Sequence, residues 1–250
     1  MSDPACQRNG LVANALRILG VVLLSAGLTG CVTRQVAPPV GRAPAARLAP
    51  SPLLGQPFDV VAAKSHLIVL VYRAGPLAAL GHNHVIACRC LTGTVYLPRN
   101  PLRAGFDLRL TVKQFTVDDP ALRAAEHSAD FPPDVPDSAR QATRHNMLGA
   151  ALLNAANFPE ITLRSAGLRP SPDGKPDNIV AEVIMRVAGE QHSIAVPFHY
   201  DIQGDQIVAT GEFPLKQTDL GLAPFTALGG ALKVRNDMKV QIELVAKRRG

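Results

Sequence analysis

The sequence predicts an all-β fold: a closed, up-and-down antiparallel barrel of about eight strands with a short helical insertion. Three observations carry this reading. Beyond residue 58, apolar and polar residues alternate with period two, as where Phe106, Leu108, Leu110 and Val112 interleave with Asp107, Arg109, Thr111 and Lys113. Tight-turn pairs, Ala188-Gly189 and Gly204-Asp205, join successive alternating runs. One Ala-rich stretch, 118–157, breaks the alternation in favour of helix. A β-sandwich is the rival architecture. Closure is preferred because it removes edge strands and leaves an interior that can hold one small ligand.

The elements follow in order. Arg17 precedes a short apolar run, Ile18 to Leu28. A membrane span needs about 20 residues, so this run fits the core of a signal peptide over residues 1–30. It ends in Leu28-Thr29-Gly30-Cys31, which resembles a bacterial lipobox. That resemblance implies cleavage before Cys31, lipid on its thiol, and a periplasmic, membrane-anchored protein. Val32, rather than Asp, follows the cysteine, which by the same resemblance points to the outer membrane of a Gram-negative bacterium. Acyl chains anchor through burial of about 0.8 kcal/mol per methylene. Residues 31–57 are rich in Pro and Ala without periodicity and read as a tether. The folded domain is placed at 58–247.

Within it, Phe58–Ala63 and His66–Arg73 read as strands, the second buried on both faces. Gly75-Pro76 breaks the run, and Leu77–Leu80 fits a helical turn. His84–Leu97 reads as one long strand with a bulge near Gly93. Pro120–Glu126 and Ser138–Ala156 read as helices around an irregular Phe131-Pro132-Pro133-Asp134-Val135-Pro136. Met147, Leu148, Ala151 and Leu152 share a face, so this segment is expected to lie across a sheet or a barrel mouth. Strands resume at Glu160–Gly167, at Ile179–Val187, through His192–Tyr200 and Ile207–Leu215, and close with Met238–Leu244. The stretch Leu220–Leu232 is an apolar, Gly-containing connection.

Composition excludes several function classes. Aromatic residues make up 4% of the chain and Trp is absent, which argues against stacking platforms for sugars or single-stranded nucleic acid. The net charge is +6, but the Lys and Arg are scattered, with one small cluster at Lys247-Arg248-Arg249. No nucleic-acid footprint is therefore expected. There is no GxSxG, P-loop or dinucleotide fingerprint, and the neighbours His127, Ser128 and Asp130 read as loop residues, because a catalytic triad is defined by geometry and not adjacency. An enzyme is not expected.

The polar stretch that the fold leaves unexplained is Gly81-His82-Asn83-His84-Val85. On an extended chain His82, His84, Ile86, Cys88 and Cys90 fall on one face. His and Cys are ligand types for Zn or Cu, and His66, His127, His145 or His192 are the candidates for completing such a set. The other readings are residues of a pocket rim and histidines that simply close a turn at the barrel edge. Cys88 and Cys90 stand near the upper limit of Cα separation for a disulfide. They read as small buried hydrophobes, with a strained or redox-active pair as the alternative.

Several blocks together resemble the YceI-like family. They are Thr143-Arg144-His145-Asn146-Met147-Leu148 followed by Asn157-Phe158-Pro159-Glu160-Ile161-Thr162-Leu163, the strand pair from Val183 to Pro197, Thr218-Asp219-Leu220-Gly221-Leu222, and the closing Val234–Leu244. The chain has Arg144-His145 where the family usually has an Arg-Asp pair. The resemblance implies a lipocalin-like antiparallel barrel, export to the periplasm or attachment to a membrane, and a polyisoprenoid or isoprenoid-quinone-like lipid in the barrel. It leaves a homodimer open, and implies no cofactor beyond the bound lipid.

The alternation supplies the matching interior. Phe106, Leu108, Leu110, Val183, Met185, Ile194, Phe198, Phe213 and Ile242 form an expected inward set with no carboxylate or amide. A buried five-carbon isoprene unit gains up to about 4 kcal/mol at about 0.8 per carbon. Two or three such units offset the roughly 4–15 kcal/mol cost of immobilising a ligand. The alternatives are a periplasmic metal- or haem-handling protein using His82 and His84, and a barrel packed solid by its own side chains that serves as an interaction module.

Overall fold

Residues 48–250 are described by the structure, a computed structural model. The signal peptide read over residues 1–30, the lipid acceptor Cys31 and the tether up to residue 47 lie outside the described residues. Among the described residues one antiparallel sheet contains β1 (Gln56–Val60), β2 (His66–Ala74), β3 (His84–Cys88), β4 (Leu91–Leu97), β5 (Gly105–Thr111), β6 (Thr116–Val117), β7 (Glu160–Pro170), β8 (Asn178–Val187), β9 (Glu190–Gln203), β10 (Gln206–Lys216), β11 (Thr226–Ala227) and β12 (Leu232–Arg248). Two helices, α1 (Pro120–Ala125) and α2 (Asp137–Leu148), lie between β6 and β7. β1 begins at Gln56, two residues inside the stretch that the sequence assigned to the tether.

The sheet closes on itself. β1 and β2 act as one interrupted strand, since both pair with β12: Phe58 faces Arg248, and His66 faces Glu243. β3 with β4, and β5 with β6, are interrupted in the same way. Counting each interrupted pair once, with β7, β8, β9, β10 and β12, gives eight staves in up-and-down order. The all-β barrel predicted from the alternation is the observed fold, and the sandwich is excluded by the β1–β12 closure.

Each interruption has a local cause. Between β1 and β2 the chain takes a 3-10 turn, Ala62–Lys64, which interrupts the ladder to β12 although the Val61 N–H still donates to the Val245 carbonyl. The buried Ser65 supplies the partner that the Val245 N–H would otherwise lack: its hydroxyl accepts from that N–H (3.0 Å) and lies 3.0 Å from the Val61 carbonyl oxygen, to which it donates. Ser165 does the same on β7, where the register shifts between Ser165 and Gly167. Its hydroxyl accepts from the Phe106 N–H at 3.0 Å.

Three expectations need correction. His84–Leu97 is not one strand bulged at Gly93. The β4–β5 register runs unbroken from Leu91↔Leu110 to Tyr96↔Gly105, and the break falls at Arg89-Cys90. Gly93 is needed for another reason: at φ 127° it approaches β5 so closely that a Cβ would meet the Asp107 carbonyl oxygen at 2.2 Å. Cys88 and Cys90 are buried, as read, but they are also bonded to each other, with Cα atoms 5.2 Å apart. The bend between the strands brings them closer than an extended chain would. Finally, α2 ends at Leu148 and does not continue to Ala156. Gly149 leaves the helical conformation (ψ 167°), and irregular hydrogen-bonded turns follow to Phe158. Ala151 and Leu152 are thus not on the helix face of Met147.

β2 is covered on both sides, as its unbroken apolar run indicated. Leu70 and the β3 residue Val85 point outward and pack with Phe131 from the irregular Pro-rich segment, with Leu122 of α1 beside them. The inner face belongs to the barrel interior.

Candidate functional site

The interior is hollow. A cavity of about 560 Å³ runs within the barrel, in the usual 300–1,000 Å³ range of small-molecule sites. Phe106, Leu108, Leu110, Val183, Met185, Ile194, Phe198, Phe213 and Ile242 all line it. The period-two rule places them there because alternate residues of a strand point to one side. Where a stave is interrupted, the inward parity changes. His84 and Ile86 of β3 face in, and after the break at Arg89-Cys90 it is Leu91, Val95 and Leu97 of β4. No periodicity in the sequence marks such a switch. From α2, Ala139, Ala142, Thr143, Asn146 and Met147 line the same space, so the helical insertion does lie across the barrel.

The lining is less uniformly apolar than the inward set suggested. Asn146 and Gln217 contribute amides, and Arg73, Lys233, Tyr200, His82 and His84 add further polar groups. Gln217 is engaged elsewhere, donating to the Arg235 carbonyl at 2.7 Å.

The polar end is built around Asn83. Its side-chain oxygen accepts from the Arg73 N–H (2.9 Å), and its amide donates to the Asp130 carbonyl (3.0 Å), which pins the segment between β2 and the Pro-rich loop. Asn83 is buried away from the cavity. His82 and His84, one residue to either side, therefore both face the cavity, with ring centroids 4.6 Å apart. Both histidines are part of the cavity wall, the position that the pocket-rim reading describes.

A buried carboxylate lies against them. Asp118 sits just after β6 in a left-handed conformation (φ 54°), which Asp tolerates better than most residues. Its Oδ2 accepts from His84 Nδ1 at 2.7 Å and lies 3.8 Å from His82 Nε2. Since an ionised carboxylate only accepts, the proton in the short bond belongs to Nδ1. Oδ1 accepts from the Val85 N–H (2.8 Å) and from Arg123 (2.6 Å). Arg123, on α1, is fully buried and also donates to the carbonyls of Asn83 and Pro132, each at 2.6 Å. Burial pushes the Asp118 carboxyl up, but the hydrogen bonds from His84, Val85 and Arg123 and the nearby positive charge together hold it below its ordinary value. Desolvation, then the neighbouring His84, push the His82 imidazole down, so it favours the neutral form.

Sequence reading found His82 and His84 but not Asp118 or Arg123. Of the partners it considered, His66 lies beside Glu243 and His192 beside Glu190, each near 3.8–3.9 Å, outside this cluster. Asp118 stands beside Asp119, the N-cap of α1, and its sequence neighbourhood shows only a helix start. Cys88 and Cys90, bonded to each other, are not free to join a site.

Comparison with known proteins agrees with this architecture. The family model described as the YceI-like domain matches residues 94–246. No curated protein matches. Among solved structures, Burkholderia cenocepacia BcnA superposes with a TM-score of 0.54 at 14% identity, covering 76% of this chain and 100% of that one. A polyisoprenoid binding domain from Saccharophagus degradans, implicated in plant cell wall breakdown, gives 0.47 at 10% identity, covering 77% and 98%. A YCEI protein of Campylobacter jejuni gives 0.44 at 10% identity, covering 64% and 82%.

Proposed function

The chain belongs to the YceI-like domain family, and from that premise we propose that its barrel binds a polyisoprenoid or isoprenoid-quinone-like lipid without chemical conversion. The observation that carries the reading is the hollow interior, a cavity of about 560 Å³ walled by Leu, Val, Ile, Phe and Met side chains. An empty apolar cavity of this size forfeits dispersion contacts along its whole wall. An apolar chain restores them, and each isoprene unit contributes up to about 4 kcal/mol of burial. The polar groups at Asn83's end of the cavity suit a lipid that carries one polar head. The packed-barrel alternative loses its basis, because side chains do not fill the interior.

We further propose that the protein acts in the periplasm, held at the outer membrane by lipid on Cys31, with the tether giving the barrel reach. Cys31→Ser should then move the chain from the membrane to the soluble fraction. Ligand binding is tested by organic extraction of the purified chain and mass spectrometry of the extract, and by uptake of a short polyisoprenoid alcohol. Ala209, a half-buried residue of the lining, gives the decisive variant. Ala209→Phe fills part of the cavity and should lower uptake at least tenfold while the fold persists. Wild-type protein that yields no lipid and takes none up, or Ala209→Phe with unchanged uptake, would sink the proposal.

A further inference from the structure

We propose that His82, His84 and Asp118 form a binding site for a divalent first-row transition-metal ion in the wall of the barrel cavity. Two imidazoles and one carboxylate offer ligand atoms that all lie within 4.8 Å of one another. Two nitrogens and one oxygen are the donor set of open, three-ligand sites for borderline ions such as Zn²⁺ and Fe²⁺.

The atoms involved are specific. His82 Nε2 is buried and has no hydrogen-bond partner. Its nearest counterpart, Asp118 Oδ2, is 3.8 Å away, too far for a hydrogen bond. A buried polar atom left without a partner costs about 1–3 kcal/mol and needs a reason. Around a tetrahedral ion with bonds near 2.0–2.1 Å, neighbouring ligand atoms stand ~3.4 Å apart. The His82–Asp118 separation of 3.8 Å and the His84–Asp118 separation of 2.7 Å lie to either side of that value. Small side-chain rotations, with the ion in place of the proton between His84 and Asp118, bring both to it.

The surroundings hold the carboxylate as an ion site requires. The Val85 N–H and Arg123 occupy Oδ1 of Asp118 and leave Oδ2 directed at the two histidines. Outer-shell bonds of this kind orient metal ligands. Asn83, anchored at both ends of its amide, fixes the backbone between the imidazoles. Arg123 already offsets the charge of Asp118, so a bound ion retains positive charge. Both histidines line the cavity, and the open coordination position therefore faces it, available to water or to an anionic or strongly polar group of a cavity ligand.

The test uses the full chain, stripped with a chelator and titrated with Zn²⁺ in competition with a chromophoric chelator. The expected result is one tight equivalent per chain. His82→Ala should weaken it by at least about 100-fold, since loss of even an outer-shell partner costs 10–100-fold. This variant spares the buried Asp118–Arg123 pair and removes no hydrogen bond, whereas His66→Ala, at a half-buried histidine outside the cluster, should leave Zn²⁺ affinity unchanged. Wild-type chain that takes up no Zn²⁺ overturns the proposal without any variant, and so does equal affinity in His82→Ala. The readout is independent of lipid uptake, so the site and the lipid-binding reading stand or fall separately.

Discussion

Replacing Arg123 with Met probes the feature on which the polar end of the cavity depends. Arg123 is completely buried and donates to Asp118, Asn83 and Pro132, while its guanidinium carbon lies 5.8 Å from the Phe131 ring centroid. Met fills similar space but donates nothing. The variant strands a buried carboxylate, for which loss of one partner costs roughly 3–5 kcal/mol. It also leaves the buried Asn83 carbonyl short of a donor, at about 1–3 kcal/mol for an unsatisfied group, while the Pro132 carbonyl, on an exposed residue, can turn to water. These losses share one neighbourhood and do not add, so about 4 kcal/mol is expected at pH 7, read from urea unfolding in chelator-containing buffer. The pH dependence has a defined sign. In the wild type the Asp118 carboxyl is held below 3.8. The pair's contribution is therefore present above that unfolded-state value and is lost as pH falls through the lower folded-state value. The variant's deficit should accordingly shrink in acid. Arg123→Met combined with Asp118→Asn should cost less than Arg123→Met alone, because no buried charge remains unpaired. A deficit under about 1 kcal/mol, or a double variant as damaged as the sum of the two single ones, would refute this account of the pair.

Three further outcomes follow from particular contacts. Ser65→Ala removes the acceptor of the buried Val245 N–H at the β1–β2 interruption and should cost about 1–3 kcal/mol in urea unfolding, with faster amide exchange at Val245 as the local signature. Gly93→Ala forces a Cβ against the Asp107 carbonyl oxygen at a positive φ. It should cost more than about 2 kcal/mol, with loss of protection along β4 and β5, and a melting curve matching wild type would contradict it. Asn83→Ala frees the segment carrying both cavity-facing histidines. It should lower stability by about 1–3 kcal/mol and broaden the His82 and His84 side-chain resonances in NMR spectra, whereas unshifted, sharp resonances would show that Asn83 does not position them.

Much of the molecule could be read from local pattern. Phe106, Leu108 and Leu110 announce an inward face because successive side chains of a strand alternate in direction, and nothing elsewhere in the fold can change that rule within an unbroken strand. Ala188-Gly189 and Gly204-Asp205 set hairpins because their backbone conformations match the twist of paired strands, with φ of 47° at Ala188, 85° at Gly189 and 62° at Gly204. The nine inward residues and the family blocks rest on such short-range constraints, and so does the prediction of a barrel.

The rest depended on contacts between distant parts of the chain. Parity switches at Arg89-Cys90 and at Ser165 occur where a stave must bend to close the barrel, and Ser65 at a strand end and Ser165 within β7 look like ordinary serines until their partners at Val245 and Phe106 are known. Asp118 and Arg123 are five residues apart and have no helical or strand spacing that would pair them. They meet because β6 lies beside β3 and α1 folds over it. His82 and His84 were visible as ligand-type residues, but whether they faced water, a turn or the cavity turned on which way Asn83 pointed. That was settled by its bonds to Arg73 and Asp130, 10 and 47 residues away. Alternation is a property of neighbouring residues and survives in the sequence, whereas a buried polar cluster is made by closure of the sheet, which brings its members together from separate strands and loops.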